Sequence, residues 1–351
     1  MFHYCSCLVR SLPTNGQDMK FRKFIGLFLI ALAPSTLAGT APSLSVIGTI
    51  PGPDGGWDIP SVDAAARRLY IAHGDAVTAI DLDSGKVTPK LVEGKRLHDV
   101  LPLPDGRALS TNGGDNTATL FEAATGKVIA AIPTGLNPDV AILDPSSGLV
   151  LVMDGKGGDI TLIDPKTAHA EGRIALDGKP EFAVADGKGR VFVNIEDKAE
   201  IAVVDIAQRK VAARYKLDGC EEPSGLALDP EAGLLLAACA NRKAVAVQAK
   251  DGAAVATLTI GERPDGAIFD ARRKLFFIPC GEGNIAVIGD EAGKPAVIAT
   301  IPTANGARTA ALDPKTGKLY LPTADFAAPA EGEKRHTVIP GTFRVLVVGE
   351  K

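Results

Sequence analysis

Short hydrophobic runs recur along most of this chain and are separated by turns rich in Gly, Asp, Pro and Lys. Runs such as "RLYIAH", "LVLVMD", "RVFVNI" and "LFFIPC" each follow a first run and a polar turn, and two further runs such as "DITLID" and "VIAAIPTG" come after them. Four to eight such residues between turn residues are typical of β-strands. The pattern predicts an all-β chain built from units of four short strands.

The sixth residue of the first run in each unit marks the repeat, and we call these seven positions the anchors. They are Asp63, Pro104, Asp144, Asp186, Asp229, Asp270 and Asp313, spaced 41, 40, 42, 43, 41 and 43 residues apart. A period of about 40–45 residues with four strands is typical of β-propeller blades, because one small sheet cannot cover both of its faces alone. We therefore predict seven blades.

The two ends of the repeat predict how the ring closes. The last unit stops at "FRVLVVGEK", a third strand with nothing after it, whereas "LSVIGTIPG" near the other end reads as a fourth strand without a sheet. Together they complete one blade, which removes the exposed strand edges at the ends of the ring. We expect the N-terminal strand to close the seventh blade.

Residues 1–38 have a different pattern and are predicted to be removed. Met19 begins a basic stretch, followed by an apolar run over residues 24–33 and small residues around Ala38, as in a Sec-type signal peptide. The apolar run is about half of the ~20 residues that a membrane-spanning helix needs. Residues 1–18 precede this basic stretch and, if translated, would disrupt the N-terminal signal. The translation start is therefore either Met1 or Met19. We predict one propeller over residues 39–351, periplasmic or secreted.

Charge narrows the choice of partners. The chain has 38 Lys and Arg residues against 42 Asp and Glu residues, and removal of residues 1–38 takes away four of the former and one of the latter. The formal charge thus changes from −4 to −7. This disfavours nucleic acid or anionic lipid as the partner.

Seven residues, one per blade, lie five positions before the anchors. They are Asp58, Asp99, Asp139, Glu181, Ser224, Asp265 and Arg308. In a propeller, the loops that lead into the innermost strand and those that leave the second strand open on one face around the central channel; we call this end of the channel the mouth. Such residues either cap the starts of the strands by accepting hydrogen bonds from backbone amides, or form a polar funnel. In the funnel, crowded carboxylates raise each other's pKa or attract a cation, and Arg308 orients an anionic ligand.

Histidine and tryptophan add two further candidates near the mouth. His73, His98 and His336 fall in blades that neighbour each other across the closure, and with Asp58 or Asp99 they predict a divalent metal site. The alternative is that these histidines are scattered and solvated. Trp57 either fills a blade interface or serves as an aromatic platform beside the channel.

The cysteines predict one disulfide. Cys220 precedes the innermost strand of the fifth blade and Cys239 ends its second strand, so antiparallel pairing brings both to one rim. An exported chain meets an oxidising compartment, where such a pair is oxidised. Cys280 takes the position of Cys239 one blade later and is either a free thiol or the rival partner. Zinc or nucleophilic cysteine chemistry is disfavoured, since no close-spaced Cys or His motif accompanies them.

With the blades aligned, residues 41–351 resemble the YVTN-type β-propeller repeat family, the exported YncE-like proteins. The resemblance rests on "GGWD" at Gly55, "NPDVAILDP" at Asn137, "GKPEFAVADGKGRVFVNIEDK" at Gly178, "CEEPSGLALDP" at Cys220, "GARTAALDPKTGKLYLPTADF" at Gly306 and "PGTFRVLVVG" at Pro340. It implies a seven-bladed periplasmic or secreted propeller without an established reaction. The chain departs from the family at "PCGEG", where "SNGDG" is usual, and lacks the YVTN tetrapeptide.

Three functions fit these observations. The favoured hypothesis is a non-catalytic binding or scaffold propeller that recognises a small ligand, peptide or protein at the mouth. A metal-assisted, lactonase-like hydrolase would use the mouth carboxylates, and a quinone-dependent oxidoreductase is suggested by fold analogy alone. The chain lacks a G-x-S-x-G elbow, a Walker-type loop, a CxxCH motif and a dinucleotide fingerprint. The sequence leaves the ligand, the cofactor and the oligomeric state open.

Overall fold

The fold is a ring of seven antiparallel four-stranded sheets, seen in a computed structural model that describes residues 43–328 and 337–351. The predicted seven-bladed β-propeller is confirmed. The predicted signal peptide in residues 1–38 and the candidate ligand His336 lie outside the described residues. Within them, no helix has the length and apolar character to cross a membrane.

Six blades are formed by consecutive strands, from the channel outwards. Blade 1 contains β2 (Pro60–Asp63), β3 (Arg68–His73), β4 (Ala76–Asp81) and β5 (Val87–Glu93); blade 2 contains β6 (Leu97–Pro102), β7 (Arg107–Asn112), β8 (Thr117–Glu122) and β9 (Val128–Pro133). Blade 3 contains β10 (Pro138–Leu143), β11 (Val150–Asp154), β12 (Asp159–Asp164) and β13 (His169–Ala175); blade 4 contains β14 (Pro180–Ala185), β15 (Arg190–Ile195), β16 (Glu200–Asp205) and β17 (Lys210–Lys216). Blade 5 contains β18 (Pro223–Asp229), β19 (Leu234–Cys239), β20 (Lys243–Gln248) and β21 (Ala254–Thr259); blade 6 contains β22 (Ile268–Asp270), β23 (Leu275–Cys280), β24 (Asn284–Glu291) and β25 (Lys294–Pro302). One short 3₁₀ helix, Glu196–Lys198, follows β15.

Blade 7 is assembled from both ends of the repeat. Its strands are β26 (Ala311–Leu312), β27 (Leu319–Thr323), β30 (Arg344–Glu350) and β1 (Leu44–Pro51), in that order, and a two-stranded hairpin of β28 (Phe326–Ala327) and β29 (Thr337–Val338) lies between β27 and β30 in the chain. β1 and β30 are antiparallel, with Leu44 opposite Glu350 and Pro51 opposite Arg344. The predicted closure by the N-terminal strand is confirmed.

The hydrophobic core lies between the blades. The second and third strands are almost fully buried, as in β11, because neighbouring sheets cover both of their faces. One buried cluster, for example, joins Leu151 of blade 3 to Val193 of blade 4. The outer strands are largely exposed, as in β13. This explains why the second runs are nearly continuous in hydrophobic residues whereas the fourth runs are mixed.

The anchor aspartates hold the turns at the end of the channel opposite the mouth, which we call the anchor end. Asp144 is fully buried and accepts hydrogen bonds from the backbone amides and hydroxyls of Ser146 and Ser147. Asp270 likewise accepts the amides of Arg272 and Arg273. These are Asx turns, in which the side chain substitutes for a backbone acceptor. The anchors therefore have a structural role.

Candidate functional site at the channel mouth

Register shifts in the innermost strands place the ring residues at the mouth. In blades 2 to 5, the pairing of the first two strands skips two residues on the innermost strand, between Leu97 and Val100, Pro138 and Ala141, Pro180 and Ala183, and Pro223 and Leu226. In blades 3 to 5 the first skipped residue is the predicted ring residue, namely Asp139, Glu181 or Ser224. In blade 2 the first skipped residue is His98 and the second is Asp99, so the strand pairing aligns His98, rather than Asp99, with the other ring positions. A β-bulge of this kind re-aims side chains without ending the strand.

Asp58, His98 and Asp139 come together although they belong to three successive blades. His98 Nδ1 lies 2.7 Å from Asp58 Oδ2 and 3.9 Å from Asp139 Oδ1. Among the residues that the structure describes, these three form the one group whose nitrogen and carboxylate donors all lie within 4.8 Å of one another, a spacing compatible with a shared metal ion. Burial lowers the pKa of His98, but its hydrogen bond to the Asp58 carboxylate and the charge of Asp139 outweigh this effect, so the pKa is raised above its ordinary value.

Asp99 belongs to the framework. The residue is 5% exposed, and its carboxylate accepts hydrogen bonds from the backbone amides of Val100 and of Ala141 in the next blade. Burial raises its pKa to about 7, against the effect of these two hydrogen bonds. Asp99 thus has the capping role that was one of the two alternatives for the ring, and it joins blade 2 to blade 3.

Glu181 shares a lysine with Glu196 on the opposite side of Asp139. Lys179 Nζ lies 2.8 Å from Glu181 and also forms a close ion pair with Glu196. The desolvation of Lys179 is outweighed by these two carboxylates, so its pKa is raised. Burial, and then the charge of Asp139, raise the pKa of Glu181 to about 7. One ammonium group therefore compensates two carboxylates here.

Asp265, Arg308 and Ser224 complete the ring. Arg308 Nε lies 3.1 Å from Asp265 Oδ2, and the guanidinium remains half exposed. Burial raises the pKa of Asp265 to about 6; the charge of Arg308 opposes this shift, and Asp58 and Asp139 add to it. Ser224 donates its hydroxyl to the Pro264 carbonyl, 3.3 Å away, and so links blade 5 to blade 6.

Among Asp58, Asp139, Glu181 and Asp265, Asp139 is the carboxylate whose nearest cationic group lies farthest away. It lies between His98 on one side and Lys179 on the other, and forms no ion pair shorter than the 3.9 Å contact with His98 among the described residues. Burial raises its pKa to about 6; the charge of His98 opposes the shift and that of Asp58 adds to it. The mouth is thus short of positive charge around Asp139.

The remaining candidates lie beside the ring. Trp57 packs against Phe343 and Phe326, at ring-centre distances of 5.2 and 6.3 Å, in a cluster between blades 7 and 1. His73 packs on Phe343 and lies 3.2 Å from the Thr78 hydroxyl, and burial lowers its pKa. His73 belongs to no described group of three close metal donors. The three-histidine site stays a prediction because His336 is not described.

The cysteine prediction is confirmed in the structure. Cys220 and Cys239 form a disulfide with a Cα–Cα distance of 5.4 Å, which ties the mouth end of blade 5. Cys280 is a buried free thiol, and burial raises its pKa to about 11. A thiol in this state is a poor nucleophile.

From the sequence, no role was assigned to Lys179, Asn137 or Asn194. Asn194 donates to the carbonyls of Ser224 and Gly225, at 2.9 and 3.0 Å, and links blade 4 to blade 5. Asn137 adopts a left-handed conformation, φ 57°, directly before β10. Asn137 and Lys179 directly precede the innermost strands of successive blades, where other blades have Arg96 and Glu222. The position repeats but the residue type does not, so the period of the chain gave no signal for them.

No family model and no curated protein matches this chain. Among solved structures, the chain is similar to one described as Kuenenia stuttgartiensis hydrazine synthase, with a TM-score of 0.66 and 16% identity over 83% of this chain and 96% of the other. It is also similar to a chain in the crystal structure of a mitotic checkpoint complex, with a TM-score of 0.68 and 14% identity over 89% and 95% of the two chains. At these identities the likeness shows the shared fold.

Proposed function

We propose that this protein is a non-catalytic binding propeller whose mouth recognises the cationic group of a small ligand, a peptide or a protein partner. The observation that carries this proposal is the crowding of four carboxylates, in which the charge of Asp139 raises the pKa of Glu181 and the charges of Asp58 and Asp139 raise that of Asp265, while the nearest cationic group to Asp139 is His98 at 3.9 Å. A bound cation would stabilise the ionised carboxylates that burial and mutual repulsion now disfavour. The half-exposed Arg308 gives the same mouth a group for an anionic part of the ligand.

The setting we propose is the periplasm or the extracellular space. The disulfide between Cys220 and Cys239 supports this, because such bonds persist in oxidising compartments. The neighbours among solved structures differ in what their names describe, an enzyme and a checkpoint assembly, so they favour no single activity. A quinone-dependent oxidoreductase therefore rests on fold analogy alone.

A metal-assisted hydrolase is the second candidate, and the grouping of Asp58, His98 and Asp139 favours it. A metal ion there would polarise a carbonyl or activate water. This alternative predicts hydrolysis of lactones or esters that depends on added Zn²⁺ and disappears in Asp139→Asn. The binding proposal predicts no turnover with or without the ion.

The test compares a trilysine peptide with a triglutamate peptide by calorimetry at low ionic strength. We expect trilysine to bind more tightly, and Asp139→Asn or Asp265→Asn to weaken it by about 3–10-fold each, the size of one partly buried ion pair. Glu291→Gln is the matched control, since it removes one negative charge from an exposed residue at the end of β24. Equal binding of both peptides, or an equal effect of the control, would contradict the proposal.

A further inference from the structure

Three side-chain atoms at the mouth that could coordinate a metal ion come from three different blades. Asp58 precedes β2, His98 lies in β6 and Asp139 lies in β10, and the three donors fall within 4.8 Å of one another. Hydrogen bonds fix the backbone around them: Thr309 donates to the Asp58 carbonyl at 3.2 Å, and Thr111 donates to the Asp139 carbonyl at 2.6 Å. The spacing of the donors is therefore set by the ring and does not depend on a flexible loop.

The second ring nitrogen of His98, Nε2, is a buried hydrogen-bond acceptor that lacks a donor in the part of the chain that the structure describes. In the 2.7 Å contact with Asp58, Nδ1 carries the proton and donates to the carboxylate. In the neutral ring, Nε2 is then an acceptor, and this buried atom has no hydrogen-bond partner among the described residues. Asn137 Oδ1, also buried and an acceptor, equally has no partner among them.

Both acceptors face the space beside Gly113. A β-carbon on Gly113 would lie 2.7 Å from His98 Nε2 and 3.3 Å from Asn137 Oδ1, so glycine keeps this space open. His98 and Asn137 are each only 9% exposed. Two buried acceptors without a donor are costly. The cost disappears when Nε2 carries a proton that can point towards Asn137 Oδ1, as it does in a protonated ring or in a ring whose Nδ1 binds a metal ion.

We propose that Asp58, Nδ1 of His98 and Asp139 bind one divalent transition-metal ion of the Zn²⁺ class at the mouth, and that Asn137 positions His98 for it. This inference rests on the proposed function and names the cation for which the site is built. One imidazole and two carboxylates suit Zn²⁺, Co²⁺ and similar ions better than Ca²⁺, which prefers six to eight oxygen ligands.

The distances need only small adjustments. Around a tetrahedral ion with metal–ligand distances of about 2.0–2.2 Å, ligand atoms lie about 3.4 Å apart. The contacts of His98 Nδ1 with Asp58 and Asp139, at 2.7 and 3.9 Å, lie on either side of this value. Three protein ligands leave one coordination position for a ligand from the channel.

The test is calorimetric titration of the full chain with Co²⁺ and Zn²⁺ after treatment with a chelator and desalting, together with the visible spectrum of the Co²⁺ form. We expect one ion per chain and the intense visible bands of tetrahedral Co²⁺. His98→Gln and Asp139→Asn should each weaken binding by at least 100-fold. Glu291→Gln, which removes one negative charge from an exposed residue at the end of β24, is the matched control and should change the affinity by less than about threefold.

Asn137 has its own test. Asn137→Gly tolerates the left-handed backbone and removes the acceptor, and we expect a 10–100-fold loss of metal affinity, the usual effect of removing the group that orients a ligating histidine. Asn137→Asp restores an acceptor and should recover the affinity and the Co²⁺ spectrum. A purely structural role would instead lower the melting temperature without changing the spectrum.

Absence of saturable binding, or binding that His98→Gln and Asp139→Asn leave unchanged, would overturn the metal site. Circular dichroism of each variant separates loss of the site from loss of the fold. If trilysine still binds to a wild-type mouth that takes no metal, the metal site fails and the proposed cation-binding function stands. If the metal binds in the expected manner and trilysine does not, the metal site stands and recognition of organic cations fails.

Discussion

The two ends of the innermost strands carry carboxylates from the same repeat, yet their electrostatics are opposite. At the anchor end, hydrogen bonds from backbone amides and arginines outweigh burial and lower the pKa of Asp186 and Asp313. At the mouth, burial and neighbouring carboxylates raise the pKa of Asp139 to about 6 and of Glu181 to about 7. The difference shows that the anchor carboxylates stabilise the fold as anions, whereas ionisation of the mouth carboxylates lowers the free energy of unfolding.

The largest effect that would test this contrast is the pH dependence of stability. Between about pH 4 and pH 7 the unfolded chain has released the protons of Asp99, Asp139, Glu181 and Asp265, whereas the folded chain still retains them in part. The folded state then binds more protons, so the free energy of unfolding falls as the pH rises through this window. The summed change is on the order of several kcal/mol, since one pKa unit corresponds to about 1.4 kcal/mol.

Thermal unfolding at constant ionic strength measures this slope. We expect the melting temperature to be highest near pH 4–5 and to decrease towards pH 8. Below about pH 4 the anchor contribution is lost, because Asp186 and Asp313, whose pKa values are lowered, become protonated. A melting temperature that rises steadily from pH 5 to pH 8 would show that the mouth carboxylates are not destabilising as anions.

The next largest effect is expected at the anchor end. Asp144→Ala removes a fully buried acceptor of two backbone amides and two hydroxyls, and leaves those donors without a partner. We expect a loss of about 2–3 kcal/mol in the free energy of unfolding, measured with denaturant at pH 7. A loss below 0.5 kcal/mol, on the order of a neutral surface substitution, would show that the anchors do not stabilise the fold more than ordinary surface residues do.

The smallest expected effect is a change in the free energy of unfolding that has opposite signs at the two ends of the channel. Asp139→Asn keeps the shape of the side chain and removes a charge that the fold disfavours, so we expect the metal-free protein to gain about 1–2 kcal/mol at pH 8. Asp186→Asn removes an anion that accepts the amides of Lys188 and Arg190, and should lose about 1 kcal/mol. Changes of the same sign in this matched pair would break the comparison.

The architecture could be predicted from the sequence because every blade needs the same features in order to fold, and these features recur with the blade period. Each unit must bury a nearly continuous second strand such as β11 and turn at an anchor such as Asp144, and both requirements leave regular marks. The closure by β1 and the disulfide between Cys220 and Cys239 followed from the same alignment. These features depend on neighbours that are close in sequence or in the repeat.

The site was predicted less completely because its chemistry depends on pairs across blades. The anchor spacing predicted that Asp99 and Asp139 are equivalent, but the strand pairing makes His98 the counterpart of Asp139, and Asp99 instead accepts the amide of Ala141. Lys179 and Asn137 occupy the same position in successive blades, but the residue type changes from blade to blade and so did not mark either of them. The anchor spacing identified the equivalent backbone position in blade 2 only to within one residue, and the contacts between blades decide what each side chain does there.

The pairing of Leu44 with Glu350 determines how this propeller can be attached and pulled. β1 and β30 are antiparallel, so the chain enters and leaves the ring at the anchor end, away from the mouth. A protein immobilised on a solid support through its C-terminus would therefore present the mouth to the solution. A force applied between the two termini would separate the β1–β30 hydrogen bonds one pair at a time from Leu44, so the mechanical weak point of the ring is its closing blade.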